Sequence, residues 1–420
     1  MSAVRLGIAG LGTVAQGVLE ILRDNGAVIA ARLGREIVVS RIASRSAKPD
    51  VDLGGAQFST NLSDLLSDDV DIVVELIGTE DTAKTLIEQA LANGKPVVTA
   101  NKAVIARHGN ELLSNNGQTP LRFEAAVAGA IPIVQALGES LIANRIESIQ
   151  GIINGTCNYI LTAMQEEGTP FDQALATAQK LGYAEADPTF DIEGIDAAHK
   201  LTILLSLAFD HPFDFDALHV EGISRVTTED IQYANELGYR IKHLGIARRT
   251  EAGIEARVHP ALVAKSNLLG EVDGVLNAVQ VAADAAGTTL FSGPGAGGAA
   301  TASAVLADVG SIVSHMGEKP QVQAARGTNS QNVLPIDQVR CPHYLRIPTK
   351  DEAGVFARVA QALSGHGINI EAVIQKEPST DVASIVLLTQ PVLEQQIRAA
   401  LDEVQQLPQV AGDIARIRVE

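Results

Sequence analysis

Hydrophobic and polar positions change period several times along the chain, and each change marks an element. Val4 to Ala9 is a short β-type run, after which Gly10-Leu11-Gly12-Thr13-Val14-Ala15-Gln16-Gly17 intervenes and Val14, Val18, Ile21 and Leu22 recur at helical spacing. The pattern predicts strand, glycine turn and helix. Further β-rich runs, Ile37 to Ile42, Val70 to Leu76 and Pro96 to Thr99, alternate with helical patterns such as Lys84 to Asn93. Such alternation predicts βαβ units on a doubly wound parallel sheet, an α/β fold of Rossmann type.

That pattern fades near Pro132. Beyond it, helical segments at Thr156 to Gln165, Phe171 to Leu181 and Asp196 to Ala208 alternate with β-type runs at Glu147 to Ile153 and Gly253 to His259. A second, α+β domain is expected there. Gly293-Pro-Gly-Ala-Gly-Gly-Ala-Ala-Thr301 then leads into a helix over Ala302 to Ser314, expected to pack back on the first domain. Met316 to Val339 is polar and broken by Gly and Pro, which reads as a linker. After it, strand-like His343 to Ile347, helical Val355 to His366, strand-like Ile368 to Gln375 and Ala383 to Thr389, helical Val392 to Val404 and strand-like Ile414 to Val419 follow one another. The order βαββαβ is the ferredoxin-like plan. The expected division is 1–133, completed by a helix at about 300–315, then 134–299, a linker at 316–341 and a tail at 342–420. No period of solenoid length and no low-complexity tract interrupts it.

Composition narrows the function. The 420 residues are 46% hydrophobic and 20% charged, enough to bury a sizeable core in two or three domains. Lys and Arg number 32 against 50 Asp and Glu, a net charge of −18, and no basic run stands out. A nucleic-acid partner or an anionic membrane surface is excluded on that ground, leaving small molecules or protein. Cys157 and Cys341 lie far apart without metal-ligand spacing, which argues against a disulfide framework or a zinc site, and the nine histidines form no ligand pair. The N-terminus lacks the ordered regions of a signal peptide and the longest apolar stretches are too short to span a bilayer. A cytoplasmic location is expected.

Six stretches carry candidate chemistry. In the first turn, Gly10 permits the tight bend, Gly12 lets the backbone approach a pyrophosphate, and small Ala15 lets the helix pack closely. Position and context point to dinucleotide binding, with FAD and S-adenosylmethionine open on the motif alone. At the end of the second strand an NAD-selective site expects an acidic residue, whereas here Ile42 precedes Ala43-Ser44-Arg45-Ser46. Arg45 suits a 2′-phosphate, so NADP preference or dual use is expected; an ordinary surface arginine is the alternative. Lys102, on the loop after Thr99-Ala100-Asn101, emerges at the carboxyl edge of the sheet, where ligands bind in open α/β folds; an ordinary solvated loop lysine is the alternative. The densest polar block runs from Glu185 through Asp187, Asp191, Glu193 and Asp196 to His199 and Lys200, feeding an apolar helix. Asp196 and Lys200 are four apart and share a helix face: either a surface ion pair or a lysine kept in an apolar setting for a task. Asn154-Gly155-Thr156-Cys157-Asn158-Tyr159 offers amides and a hydroxyl at a helix start, or simple capping by Asn154 or Thr156. Glu124-Ala-Ala-Val127-Ala-Gly129-Ala-Ile131-Pro132 reads, alone, as a strand end and a turn.

Taken together, the glycine turn, Asn101-Lys102-Ala103, Asn154 to Tyr159 and the Glu185 to Lys200 block resemble homoserine dehydrogenase, in this order, over about the first three quarters of the chain. The tail resembles an ACT domain, most sharply at Asp351-Glu352-Ala353-Gly354-Val355 and Gly367-Ile368-Asn369-Ile370. Ala15 stands where the family more often has glycine.

The resemblance implies NAD(P)-dependent interconversion of L-homoserine and L-aspartate 4-semialdehyde, on the route to threonine and methionine. It implies Lys200 as catalytic acid/base and Lys102 as a second lysine at the reacting end, also near the nicotinamide. Glu185 and Asp196 would hold the substrate's amino and hydroxyl ends, Asp191 would support the pocket, and Thr156 and Gly155 would line it. Cofactor contacts would come from Gly10, Gly12, Thr13, Val14, Arg45, Gly78, Thr79, Lys102 and Gly297. The Glu124 segment resembles the family's sodium site, with the carbonyls of Val127, Gly129 and Ile131 as further ligands. By the same resemblance the tail binds threonine as feedback effector, and the enzyme is a homodimer or homotetramer. The chemistry agrees independently: hydride delivery to an aldehyde builds negative charge on oxygen, which a cationic lysine stabilises and protonates. Two other readings predict different behaviour. Another NADP-dependent amino-acid-pathway reductase would act on a different substrate, and a non-enzymatic dinucleotide sensor would bind without turnover.

Overall fold

The computed structural model describes residues 2–116, 119–316, 331–375 and 382–420. Contacts gather the chain into two units, one made of 1–149, 199–216 and 276–331, the other of 150–198, 217–275 and 332–420. In chain order the elements are β1 (Val4–Ala9), α1 (Thr13–Leu33), β2 (Ile37–Ala43), β3 (Gln57–Ser59), β4 (Ile72–Glu75), α2 (Glu80–Ala92), β5 (Val97–Thr99), α3 (Lys102–Ser114), β6 (Leu121–Arg122) and one-turn α4 (Ile133–Gln135). Then come β7 (Ile146–Ile152), α5 (Gly155–Glu167), α6 (Phe171–Lys180), short α7 (Thr189–Ile192), α8 (Ile195–Phe209), β8 (His219–Val220), α9 (Thr228–Glu236), β9 (Tyr239–Arg249) and β10 (Ile254–Ala264). The chain continues with β11 (Leu276–Ala283), β12 (Gly287–Pro294), α10 (Gly298–Ser314), β13 (Arg340–Cys341), β14 (His343–Lys350), α11 (Val355–Gly365), β15 (Ile370–Gln375), β16 (Val382–Thr389), β17 (Val392–Leu393), α12 (Glu394–Gln405) and β18 (Ala415–Val419).

In the first unit, six parallel strands run in the order β3-β2-β1-β4-β5-β6. The order reverses between β1 and β4, which opens a crevice at their carboxyl ends. The central strands β4 and β5 are nearly continuous in Val and Ile because helices cover both faces of the sheet. α1 and α10 bury Ala15, Val18, Ala302, Val305 and Val309 against Leu6, Ile8, Ile42, Ile72 and Val74. The returning helix thus packs on the dinucleotide sheet, and it starts at Gly298, four residues before the expected Ala302.

In the second unit, the sheet path runs β9-β10-β18-β14-β16-β15, with β8 beside β10. The last four strands have the ferredoxin-like order, and α11 and α12 pack on one face through Val355, Val359, Leu363, Ile397 and Val404. Alternation on β14 explains why both faces are buried: Leu345 and Ile347 join that cluster, whereas Tyr344 joins a second one with Ile160, Leu161, Ile231 and Ile417. Strand β18 is antiparallel to β14 and parallel to β10, so the tail shares a sheet with β9 and β10. A buried charge network reinforces that seam. Arg418 donates to both Glu221 (2.8 Å) and Glu394 (2.7 Å), and Arg257 pairs with Glu255 and Glu420. Burial pushes the Glu221 carboxyl up, but bonds from His219 and Arg418 draw it far below the usual carboxylate range.

Several expectations are revised. Val392 to Val404 is not one helix: Val392 and Leu393 pair with β13, and α12 begins at Glu394. Strands β9, β11 and β12 were not anticipated. In β9, Arg240, Lys242 and His243 interrupt the apolar pattern, yet Lys242 is buried, its amine donating to the Val272 carbonyl and Asp273 (2.7 Å each). Most of the expected linker, 317–330, lies outside the described residues, and after it Asn332 and Leu334 hydrogen-bond to Ile254 of β10. Both cysteines are buried and outside any disulfide; Cys341, His343 and Glu394 come together in the core, where Glu394 is held by Arg416 and Arg418. No helix among the described residues is long and apolar enough to cross a membrane.

Candidate active site

The glycine turn after β1 has the conformation its sequence implies. Gly10 sits at φ +98°, and a Cβ there would lie 2.7 Å from the Leu76 carbonyl oxygen, so only glycine fits the bend. Gly12 caps α1 without a side-chain bond, is exposed, and would meet nothing within 4 Å through a Cβ. Its open backbone, at a helix start with no acidic residue in the first turn, fits a pyrophosphate. Thr13 is exposed and Val14 half-buried beside it, while Ala15 is buried. The close approach of helices is made by Gly17, a residue for which the fingerprint reading has no role: its Cβ would lie 2.6 Å from the Gly298 carbonyl oxygen. Gly298 in turn lies against Thr13, so the turn containing exposed Gly297 (φ +120°) reaches the start of α1. Two glycine turns far apart in sequence therefore converge at the carboxyl edge of the sheet.

Gly78 and Thr79 are exposed in the turn from β4 to α2, and Thr79 is the N-cap of α2. Lys102 is the first residue of α3 and not a loop residue as its position after the strand had implied. Asn101 caps that helix by accepting from Val104 and donates to the Ile77 carbonyl at 3.1 Å, tying the two turns. Arg45 is exposed just beyond β2, where a 2′-phosphate would be read.

In the second unit, Asn154 is the hub of a polar cluster. Its amide nitrogen donates to Asp191 and to Asp196, both at 2.8 Å, while its oxygen caps α5 by accepting from Cys157 (2.8 Å). Thr156 donates to the Tyr183 carbonyl at 2.6 Å and lies 3.4 Å from Asp191, and Gly155 opens the helix beside them. Four of the residues singled out in sequence are thereby brought together: Gly155, Thr156, Asp191 and Asp196. Asp196 is buried, so the cluster holds a carboxylate in a dry place beside an amide. The capping alternative for Asn154 holds as well; its bonds to residues 37 and 42 positions away are the part that spacing could not reveal. Glu185 is not in this hydrogen-bonded set. It is exposed, and its carbonyl accepts from Gln179. One helix, α8, carries Asp196 in its first turn and Lys200 one turn later. Lys200 is half-buried, not buried as the apolar continuation of the helix had implied, because the apolar face is formed by Leu201, Leu204 and Leu205.

Glu124, Val127, Gly129 and Ile131 are all buried in one loop. Ala128 and Gly129 adopt positive φ, and a Cβ on Gly129 would strike the backbone of Gly295 at 2.6 Å. The Glu124 carboxylate accepts from the amides of Val134 (2.9 Å) and Gln135 (2.7 Å) at the start of α4, and burial pushes its pKa up. Each oxygen keeps a further lone pair, which is compatible with a cation ligand. The Ile131 carbonyl already accepts from Ile133. Asp308 on α10, absent from the motif reading, accepts from the Glu124 amide at 2.7 Å.

Comparison with known proteins agrees with this arrangement. Family models described as homoserine dehydrogenase, as the homoserine dehydrogenase NAD binding domain and as an ACT domain match residues 132–309, 10–124 and 343–409. A homoserine dehydrogenase from Pseudomonas aeruginosa is 48% identical, with 100% of this chain and 99% of the relative covered. The crystal structure of a homoserine dehydrogenase from Thiobacillus denitrificans matches at a TM-score of 0.95 and 48% identity, over 100% of this chain and 99% of that one. A hyperthermophilic archaeal homoserine dehydrogenase in complex with NADPH matches at 0.64 and 26% identity, covering 76% of this chain and 100% of that one. Neither a different reductase nor a non-enzymatic sensor accounts for full-length similarity of this kind. The chain belongs to the homoserine dehydrogenase family, NAD(P)-dependent oxidoreductases acting on a CH–OH group, and it carries a C-terminal ACT domain.

Proposed function

We propose that this enzyme interconverts L-homoserine and L-aspartate 4-semialdehyde with Lys200 as the proton-transferring residue and Lys102 as the second cation at the reacting end. The observation that carries the reading is the Asn154–Asp191–Asp196 cluster, two carboxylates held by one amide, at the start of the helix that bears Lys200. A substrate with an ammonium group and a hydroxyl suits such acceptors, with Asp196 and Glu185 at its ends and Thr156 and Gly155 lining it. The bound dinucleotide supplies or accepts the hydride. The chain's own task is to hold the substrate carbon in place and manage charge at its oxygen: a protonated lysine stabilises developing alkoxide and protonates it, and a neutral one takes the alcohol proton in reverse.

The finer cofactor reading is NADP preference, supported by exposed Arg45 where an acidic residue would favour NAD. Sodium at Glu124 and the carbonyls of Val127, Gly129 and Ile131 is supported by the buried carboxylate there. The ACT domain supports threonine as effector, a homodimer or homotetramer is the assembly of choice, and the low cysteine content favours the cytoplasm. Functionally, residues 1–133 with the helix at 300–315 handle the dinucleotide, 134–299 the substrate and 342–420 the effector. The test is Lys200→Ala, which should abolish homoserine oxidation while fluorescence titration still shows dinucleotide binding. Wild-type turnover in that variant removes Lys200 from its role.

A further inference from the structure

Glu75 ends β4 inside the dinucleotide crevice, fully buried, and neither the fingerprint nor the polar blocks of the sequence single it out. Its two oxygens accept from two different turns: Oε1 from the Ile77 amide and Oε2 from the Thr99 hydroxyl, each at 2.5 Å. The Thr99 oxygen then accepts from the Asn101 amide (3.0 Å), and the Asn101 side chain donates to the Ile77 carbonyl (3.1 Å). Four hydrogen bonds thus form a closed ring across the ends of adjacent strands β4 and β5, which pair Glu75 with Thr99 in register. One side of the ring leads into Gly78 and Thr79, the other into Lys102. The Leu76 carbonyl between them also abuts Gly10, so all three turns of the crevice meet at this point. Burying a carboxylate is costly, and here it raises the Glu75 pKa to about 7 against the pull of its two hydrogen bonds. A group kept in so unfavourable a place at a strand end facing the site calls for a reason beyond packing, since an aliphatic side chain would fill the volume.

We propose that Glu75 is a positioning residue for hydride transfer, its carboxylate locking the turn that bears Gly78 and Thr79 to the helix start that bears Lys102. The proposal rests on the roles given above to those three residues. Glu75 touches neither substrate nor dinucleotide in this account; it sets where the groups that do so stand, and a displacement of about 1 Å at such groups lowers rates on the order of 100-fold.

Thr99→Val removes the hydroxyl at nearly constant shape and opens the ring at two bonds, whereas Thr99→Ser keeps the hydroxyl. Glu75→Gln keeps the volume but sets an amide donor against one of the two donors. The expected result is a drop in kcat of roughly 10- to 100-fold in Thr99→Val and Glu75→Gln. It comes with a larger deuterium isotope effect from homoserine labelled at the reacting carbon, and a raised Kd for NADP+ by fluorescence titration. Thr99→Ser returns all three toward wild type. A packing role would lower the yield of active enzyme and leave the isotope effect and Kd where they were. Should Thr99→Val not fold, Glu75→Gln carries the test by the same readouts. Lys102→Ala separates the two levels: full turnover there sinks the site reading itself. Loss of turnover in Lys102→Ala, beside unchanged kcat, isotope effect and Kd in Glu75→Gln, overturns the proposal for Glu75 alone.

Discussion

Exchanging glycine for alanine inside a helix ordinarily stabilises a protein by about 0.5–1 kcal/mol, because the unfolded chain loses freedom. Helix α1 offers two such sites with opposite surroundings. At Gly26 a Cβ would meet nothing within 4 Å, so Gly26→Ala should show the ordinary gain. At Gly17 a Cβ would lie 2.6 Å from the Gly298 carbonyl oxygen, 2.8 Å from its carbon and 3.1 Å from the Ala302 Cβ. Two of those atoms are backbone and cannot rotate away, so α1 and α10 must separate. Overpacking of this kind costs roughly 1–3 kcal/mol, which offsets the helix gain and leaves Gly17→Ala destabilised by up to about 2.5 kcal/mol. The helix gain is common to both variants and cancels between them, so they should differ by the overpacking cost alone, about 1–3 kcal/mol. Equilibrium urea unfolding, read at the transition that also abolishes dinucleotide fluorescence, measures the difference. Gly17→Ala should also weaken dinucleotide binding, since Gly298 lies between Thr13 and Gly297. If Gly17→Ala is as stable as Gly26→Ala, the close contact of α1 with α10 is not what holds the two glycine turns together.

Glu75 makes stability depend on pH. Its folded pKa, about 7, lies above the ordinary value of 4.5, so its contribution is fully present below about pH 4.5 and is lost as pH rises through 7. That loss amounts to about 3 kcal/mol at most, and Glu75→Gln should flatten the urea midpoint between pH 5 and 8; an unaltered slope would show that Glu75 titrates normally. Truncation after Arg340 should yield insoluble or unfolded protein, because it strips β18 from β10 and leaves Glu221 and Arg257 without their partners Arg418 and Glu420. A soluble, active truncation would contradict the shared sheet. The single change Arg418→Met should cost about 3–5 kcal/mol by the same logic of an orphaned buried charge, measurable as a fall in thermal midpoint.

Much of the fold was legible because its signals are local. Period-2 and helical runs, the glycine turn after β1 and the βαββαβ order each occupy a few dozen residues, and β1, α6 and α10 end within a few residues of their expected limits. Strand β9 was hidden because the polar residues in it are satisfied by partners outside the run, as Lys242 is by Asp273. The seam at β18 was hidden because parallel pairing with β10 joins segments some 150 residues apart, which no local pattern encodes. At the site, residue types and spacing identified Thr156, Asp191 and Asp196, yet Asn154 as the common donor to the two aspartates emerges only when the start of α5 meets α7 and α8. Gly17 and Glu75 escaped for related reasons. A helical glycine is explained by what packs on it, and a lone carboxylate ending an apolar strand looks like the first polar residue of a turn.

The functional account turns on one assay: homoserine-dependent reduction of NADP+ and, separately, of NAD+ at alkaline pH, each with and without threonine. Turnover with at least one dinucleotide is the predicted result, faster with NADP+ if Arg45 reads the 2′-phosphate, and slowed by threonine if the ACT domain binds it. Absence of turnover with both, in a folded protein shown to bind one of them, would contradict the assignment of this site to homoserine oxidation.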